Sequence, residues 1–145
     1  MPNYCFYEIR VIGSKQNVDA FKNIIEYKNE QEHFHRVFEF TEYSYEEMAD
    51  GSYQLDGCGD CAWSVENCFL NSKQSNPTLT NLQEVSKNYN LQIEIIGEEI
   101  GCQFAEHYCY VNGNCLAHES REFYSVKIKD NPEEYVTIGG YELSI

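Results

Sequence analysis

Two segments of strict apolar–polar alternation narrow the choice of fold more than any other feature of this 145-residue chain. In residues 4–12 (YCFYEIRVI), Cys5, Tyr7, Ile9 and Val11 alternate with Tyr4, Phe6, Glu8 and Arg10; in 91–96 (LQIEII), Leu91, Ile93 and Ile95 share one side. A period of two marks a strand with one face buried. Each of these strands adjoins an apolar stripe at helical spacing. Ser14 is placed to cap a helix over 15–28, where Val18, Phe21, Ile24 and Ile25 form the stripe and Lys15, Asp19, Lys22 and Glu26 lie largely outside it. Pro77, with Thr78 as a further cap, is placed to open a second helix carrying Leu79, Leu82, Val85 and Tyr89.

Residues 34–40 (FHRVFEF) and 60–69 (DCAWSVENCF) read as two more strands, and 29–33 and 71–77 as polar connections. The acidic, Tyr-rich stretch 41–57 reads as an insertion loop with a short helical turn at 44–49. Gly97 and Gly101 bracket a turn, Glu98-Glu99-Ile100. Strands over 102–111 and 115–128 flank Asn112-Gly113, a hairpin dipeptide in which both residues tolerate positive φ. The tail from Asp130 adds a short final strand at 136–138 or 141–145. The resulting order, β-α-β-β-α-β followed by a hairpin, predicts an α+β, ferredoxin-like antiparallel sheet with two helices on one face. The expectation is a single domain, 1–145, in which 1–97 form the core and 98–145 the hairpin extension and tail.

The opening MPNYC, followed by a strand, Gly13 and a helix carrying Phe21, resembles the start of the YubB-type ferredoxin-like family, which usually opens MPNWC. Gly59-Asp60-Cys61-Ala62-Trp63-Ser64 is similar to that family's glycine–tryptophan strand. The run from Leu79 through Ser86 to Ile95, then Glu98-Glu99, Gly101 and Phe104, resembles its second helix, fourth strand and following turn. The resemblance spans most of 1–115. Tyr4 stands where Trp is usual, and the loop 41–57 and the last 25 residues lie outside the match. The resemblance implies a ferredoxin-like fold and carriage on a plasmid, phage or integrated element. It implies no catalytic residues.

Ten Lys and Arg face 24 Asp and Glu, a net charge of −14. Two zones lack any Lys or Arg: 41–60, with Glu42, Glu46, Glu47, Asp50, Asp56 and Asp60, and 88–120, with Glu94, Glu98, Glu99, Glu106 and Glu119. Such a surface repels phosphate, so direct nucleic-acid binding is not expected. It attracts and steers a basic protein surface; the plainer reading is acidity that serves solubility alone. The N-terminal residues have no basic segment leading into an apolar one, and no window approaches a membrane-spanning length. Seven Cys without an export signal point to reduced thiols and a cytoplasmic setting in the host cell.

Several constellations invite chemistry. Cys58-Gly59-Asp60-Cys61 has C-x-x-C spacing, and a zinc site would need a second pair from His107, Cys109, Cys115 or His118; Cys109 and Cys115 flank the hairpin turn, but that second pair has no C-x-x-C or H-x3-H form. As a redox dithiol the pair precedes a strand rather than a helix, beside Asp56 and Asp60, which raise thiol pKa values. A Cys–His nucleophilic site is available in composition, but nothing places one of the four His beside a particular Cys. Glu98-Glu99 beside Gly101 could hold a cation or be a solvated turn. Tyr4, Phe6, Tyr108 and Tyr110 could form a base-stacking platform, which would need a basic surround that the sequence lacks, or could serve as core and hairpin packing. Tyr43, Tyr45 and Tyr53 among Glu42, Glu46, Glu47, Asp50 and Asp56, together with Glu98 and Glu99, suit a surface that docks a basic, nucleic-acid-binding host protein. The leading expectation is therefore a non-enzymatic accessory protein with no cofactor, in its sharpest form an anti-CRISPR-like inhibitor that mimics a polyanion. The alternatives are a zinc-stabilised or thiol-dependent domain using Cys58 and Cys61, and a structural or assembly protein.

Overall fold

The computed structural model describes residues 3–71, 76–122, 124–128 and 131–145. Its centre is β1 (Tyr4–Gly13), whose four alternate side chains Cys5, Tyr7, Ile9 and Val11 are completely buried. Around it lie β2 (Thr41–Glu47), β3 (Tyr53–Ala62), β4 (Gln92–Glu99), β5 (Phe104–Val111) and β6 (Asn114–Glu122). They form one six-stranded sheet in the order β2-β3-β1-β4-β5-β6, with every neighbouring pair antiparallel. A separate antiparallel pair, β7 (Tyr124–Ile128) and β8 (Asn131–Ile138), follows. The protein is thus an α+β fold built on an open antiparallel sheet, and no helix among the described residues is long and apolar enough to cross a membrane.

One face of the sheet carries the core. The helix α1 (Lys15–Ile25) begins at Ser14, whose side chain accepts from the Asn17 amide, and buries the expected stripe Val18, Phe21, Ile24 and Ile25. It stops at Ile25, short of the expected residue 28, because Tyr27 turns to φ 57°. The second helix, α2 (Leu82–Asn88), is capped by Asn81 rather than by Pro77 or Thr78. The Thr78 hydroxyl instead donates to Asn76 Oδ1 at 2.7 Å and lies 3.0 Å from His33 Nε2. The hairpin at Asn112-Gly113 forms as read, with φ of 48° and 84°. The long strand expected over 115–128 is two strands, with residue 123 outside the described residues, as are 1–2, 72–75 and 129–130. Of the two positions read for a final strand, 136–138 falls in β8 and 141–145 is not a strand.

The middle of the chain departs most from the sequence reading. The stretch 41–57, expected as an insertion loop with a helical turn, supplies β2 and the first half of β3; the turn between them is closed by Met48 N–H donating to Ser52 O at 2.7 Å. Residues 34–40 are not a strand. Phe34 and Val37, three apart, are both buried, Arg36 lies at φ 54°, and among the described residues the segment makes a single bridge, from Val37 to Cys61, with another from the adjoining His33 to Leu79. The strand read over 60–69 ends at Ala62. Trp63 then turns to φ 71°, and Glu66–Leu70 form one π-helical turn that buries Cys68 and Phe69. Phe69 packs against Tyr7 and Phe34 with ring centroids 5.0 and 4.9 Å apart.

The first half of β3 falls in the expected loop, and two core-side positions of the strand are glycine. A Cβ on Gly59 would lie 1.9 Å from the Glu39 carbonyl oxygen, and one on Gly57 would lie 2.4 Å from the Phe40 ring. The segment 39–41 crosses the strand there, so a glycine marks close approach of another backbone rather than a break. Because the obstacle at Gly59 is backbone, Gly59→Ala is expected to destabilise the protein by about 1–3 kcal/mol, read as a lowered urea midpoint at unchanged slope.

Candidate functional site

The face of the sheet opposite the helices is where chemistry-bearing side chains meet. Alternation sends Tyr4, Phe6, Glu8 and Arg10 of β1 to this side, as it does Asp56, Cys58 and Asp60 of β3 and Glu94 and Glu98 of β4. Register then sets the neighbours: Phe6 is opposite Asp60 on one side and Glu98 on the other, and Glu8 is opposite Cys58 and Ile96. Tyr4, 58% exposed, meets Phe38, 47% exposed, edge to face at 5.4 Å, and Phe6 is 40% exposed. Glu8, Asp60 and Glu98 have no ion-pair partner among the described residues. Their mutual field is felt: burial and then Glu8 raise the Glu98 carboxyl above its ordinary value, and burial followed by Glu8, Glu39 and Asp60 raises the Cys58 thiol. One end of the open face is therefore an apolar, aromatic surface inside an uncompensated negative potential.

The other end is covered. Residues 139–145 lie across β1, β4, β5 and β6, held by buried charge. The Glu94 carboxylate, 1% exposed, accepts from the amides of Ser144 and Ile145, from the Ser144 hydroxyl at 3.0 Å, and pairs with His107 Nε2 at 2.7 Å. The other ring nitrogen of His107 is 2.7 Å from Glu119. Arg10 joins the two ends, binding Asp56 at 2.8 Å and donating to the backbone oxygen of Ile145 at 2.8 Å. Arg121 donates to the carbonyls of Gly139 and Gly140 and lies over the Tyr141 ring, which stacks on His107. This network fastens the chain to itself.

The ten expected partner-binding residues do not share one surface. Tyr43 is exposed on the open face, where burial, Glu8 and Asp56 raise its phenol, and Glu98 lies there with it. Asp56 is on the same face but buried against Arg10. Glu42 points to the helices and pairs with Lys22 at 2.7 Å. Tyr45 donates to Asp19 at 2.6 Å and packs on Tyr53, with centroids 5.7 Å apart. Glu46, Glu47 and Asp50 are exposed on β2 and at its tip, where Asp50 holds the turn through Ser52. Glu99 is 3% exposed and accepts from the amides of Gly101 and Cys102, so it is a turn lock rather than a docking residue. Glu106, 2% exposed, accepts from the amides of Val65 and Glu66 at 2.8 and 3.0 Å and from the Tyr108 hydroxyl. Three of the five acids of the second acidic zone, Glu94, Glu99 and Glu106, are thus buried.

The thiols and the stacking platform are likewise divided. Cys58 is on the open face, whereas Cys61 is buried in the core, where hydrogen bonding with Cys5 and Cys68 and burial raise its thiol. Residues three apart on a strand point to opposite sides, so this C-x-x-C pair does not face one ion. Cys109 is buried and Cys115 exposed at the β6 bulge, and among the described residues no group of three or more His, Cys, Asp or Glu side chains is arranged to hold a metal ion. Tyr4 and Phe6 are on the open face but Tyr108 and Tyr110 are in the core, so the four make no common platform. Phe38, Glu8 and Asp60 are the site residues that sequence reasoning passed over. The alternation of β1 already placed Glu8 beside Phe6; nothing local placed Phe38 against Tyr4. Comparison with protein families, with curated proteins and with solved structures finds no match to this chain.

The strap formed by residues 139–145 should respond to pH from both sides. Burial raises the Glu94 carboxyl, but His107 and the Ser144 and Ile145 donors outweigh it, leaving it below the usual value. Burial lowers the His107 imidazole, but Glu119 and Glu94 outweigh it, leaving it above the usual value. The Glu94 contribution is present above its unfolded pKa and is lost as pH falls through its depressed folded value; that of His107 is present below its unfolded pKa and is lost as pH rises through its elevated folded value. Protection of the Ser144 and Ile145 amides from hydrogen exchange, corrected for intrinsic rates, should peak between those two folded values. Glu94→Gln should lower it by about tenfold or more.

Proposed function

We propose that this protein is a non-enzymatic binding protein that docks a basic partner on the aromatic, acidic end of its open sheet face. The observation behind this reading is Phe6: a half-exposed ring flanked in register by Asp60 and Glu98, continuous with Tyr4 and Phe38, and bordered by Glu8. Aromatic side chains supply contact area at little entropic cost, and carboxylates without cations supply steering and a demand for positive charge. An arginine- or lysine-rich protein surface meets both. Phosphate does not, which favours a protein that itself binds nucleic acid over the nucleic acid directly. In this reading the chain is the inhibitor of such a partner, covering its nucleic-acid groove, as an accessory protein of a phage or mobile element would.

The fold supports the same placement. The order β2-β3-β1-β4, with α1 and α2 on one side, fits the split-βαβ, ferredoxin-like arrangement that the YubB-type resemblance implies. Such sheets leave one face free, and here half of that face is left uncovered by the chain's own strap.

The test is titration of an arginine-rich peptide of about 15 residues, followed by calorimetry. Affinity should fall by about tenfold or more between roughly 0.05 and 0.5 M salt. Phe6→Ala should weaken binding by about tenfold, and Glu8→Gln with Asp60→Asn should flatten the salt dependence. Binding that ignores salt and both sets of substitutions would overturn the proposal.

A further inference from the structure

A cleft of about 340 Å³ opens beside this face, at the C-terminal end of α1. Tyr27, Phe38, Phe40, Glu26 and Glu39 line it, with buried Val37 among them. Phe38 and Glu39 place the cleft next to the Tyr4–Phe6 surface. We infer that the cleft receives the guanidinium of one arginine of the basic partner, an inference that rests on the binding function proposed above.

Four observations point to a planar cation. First, Tyr27 stands just past the helix end at φ 57°, where glycine is the usual residue and a bulky ring is strained. Its hydroxyl fixes it there, donating to Phe34 O at 2.7 Å and accepting from Val37 N at 3.2 Å, yet the residue stays 45% exposed. Strain held in place around an exposed ring is spent on presenting that ring. Second, the helix end contributes the negative pole of its dipole. Third, Glu39 has no ion-pair partner among the described residues, while Glu26 holds only the exposed Lys28, at 2.8 Å. Fourth, the guanidinium of Arg36 lies 5.8 Å from the Phe38 ring centroid, so the Phe38 ring already takes that group within the chain itself. Guanidinium combines stacking on aromatic faces with forked donation to a carboxylate; a lysine ammonium offers only a point charge.

The experiment uses the full chain labelled with ¹⁵N. N-acetyl-arginine amide, its lysine counterpart and the uncharged citrulline counterpart are titrated separately, followed by the arginine-rich peptide. The arginine compound should shift the amides of 25–27 and 37–40 and bind at least about threefold more tightly than the lysine compound, with no shift from citrulline. Tyr27→Gly, which relieves the backbone strain, and Glu39→Gln should each reduce the arginine shifts by about threefold or more while the dispersion of the spectrum is kept. Equal shifts from arginine and citrulline, or none in these residues, would overturn the inference. If the peptide then still shifts Tyr4, Phe6 and Asp60, the surface reading stands without the cleft. If the peptide shifts nothing while N-acetyl-arginine amide shifts the cleft, the cleft stands and the surface reading falls.

Discussion

The alternation of β1 is the constraint to which the rest of the molecule answers. Cys5, Tyr7, Ile9 and Val11 are fully buried, and the strand pairs on both sides, so neither its register nor its facing can change without exposing four core side chains. A slip of one residue would exchange the two faces completely. Because the inward set is fixed, so is the outward one: Tyr4, Phe6, Glu8 and Arg10 stand in a row at the middle of the sheet. The candidate binding surface is the unburied half of the pattern that makes the core.

Acidity plays two separate parts in this fold. Glu94, Glu99 and Glu106 are buried, and each accepts from two backbone amides outside its own strand pairing. A carboxylate in that position satisfies backbone donors that the strand ladders do not, at the start of the π-helical turn, in the turn after β4 and in the strap. These charges shape the chain and contribute little to what an approaching molecule meets. Glu8, Asp60 and Glu98 do the opposite: they lie beside exposed rings with no ion-pair partner among the described residues, so a positive charge placed there would relieve their repulsion. The net charge alone cannot distinguish these two parts.

The strap and the aromatic surface share one sheet face and meet at Arg10. Its guanidinium holds Asp56 on one side and the backbone oxygen of Ile145 on the other, neutralising the acids at the boundary. The covered half is thereby closed to partners and the uncovered half keeps its negative field. The cleft at the end of α1 adjoins that half through Phe38.

The sequence by itself determined the elements whose signals are local. The period-two runs of β1 and β4, the stripe of α1 with its Ser14 cap and the Asn112-Gly113 hairpin are properties of neighbouring residues, and each stands where the pattern put it. Only the tertiary structure decided the remainder. Gly57 reads as part of a loop because the backbone that crosses it is elsewhere in the chain; with that segment in place it lies, with Gly59, in the interior of β3. Glu106 and Glu94 read as surface acids because their donors, in Val65 and Ser144, lie 41 and 50 residues away. Cys58 and Cys61 read as a pair because spacing does not reveal that a strand separates them to opposite faces. Local pattern sets which backbone forms, whereas burial of charge and the meeting of side chains depend on contacts that only the assembled sheet creates.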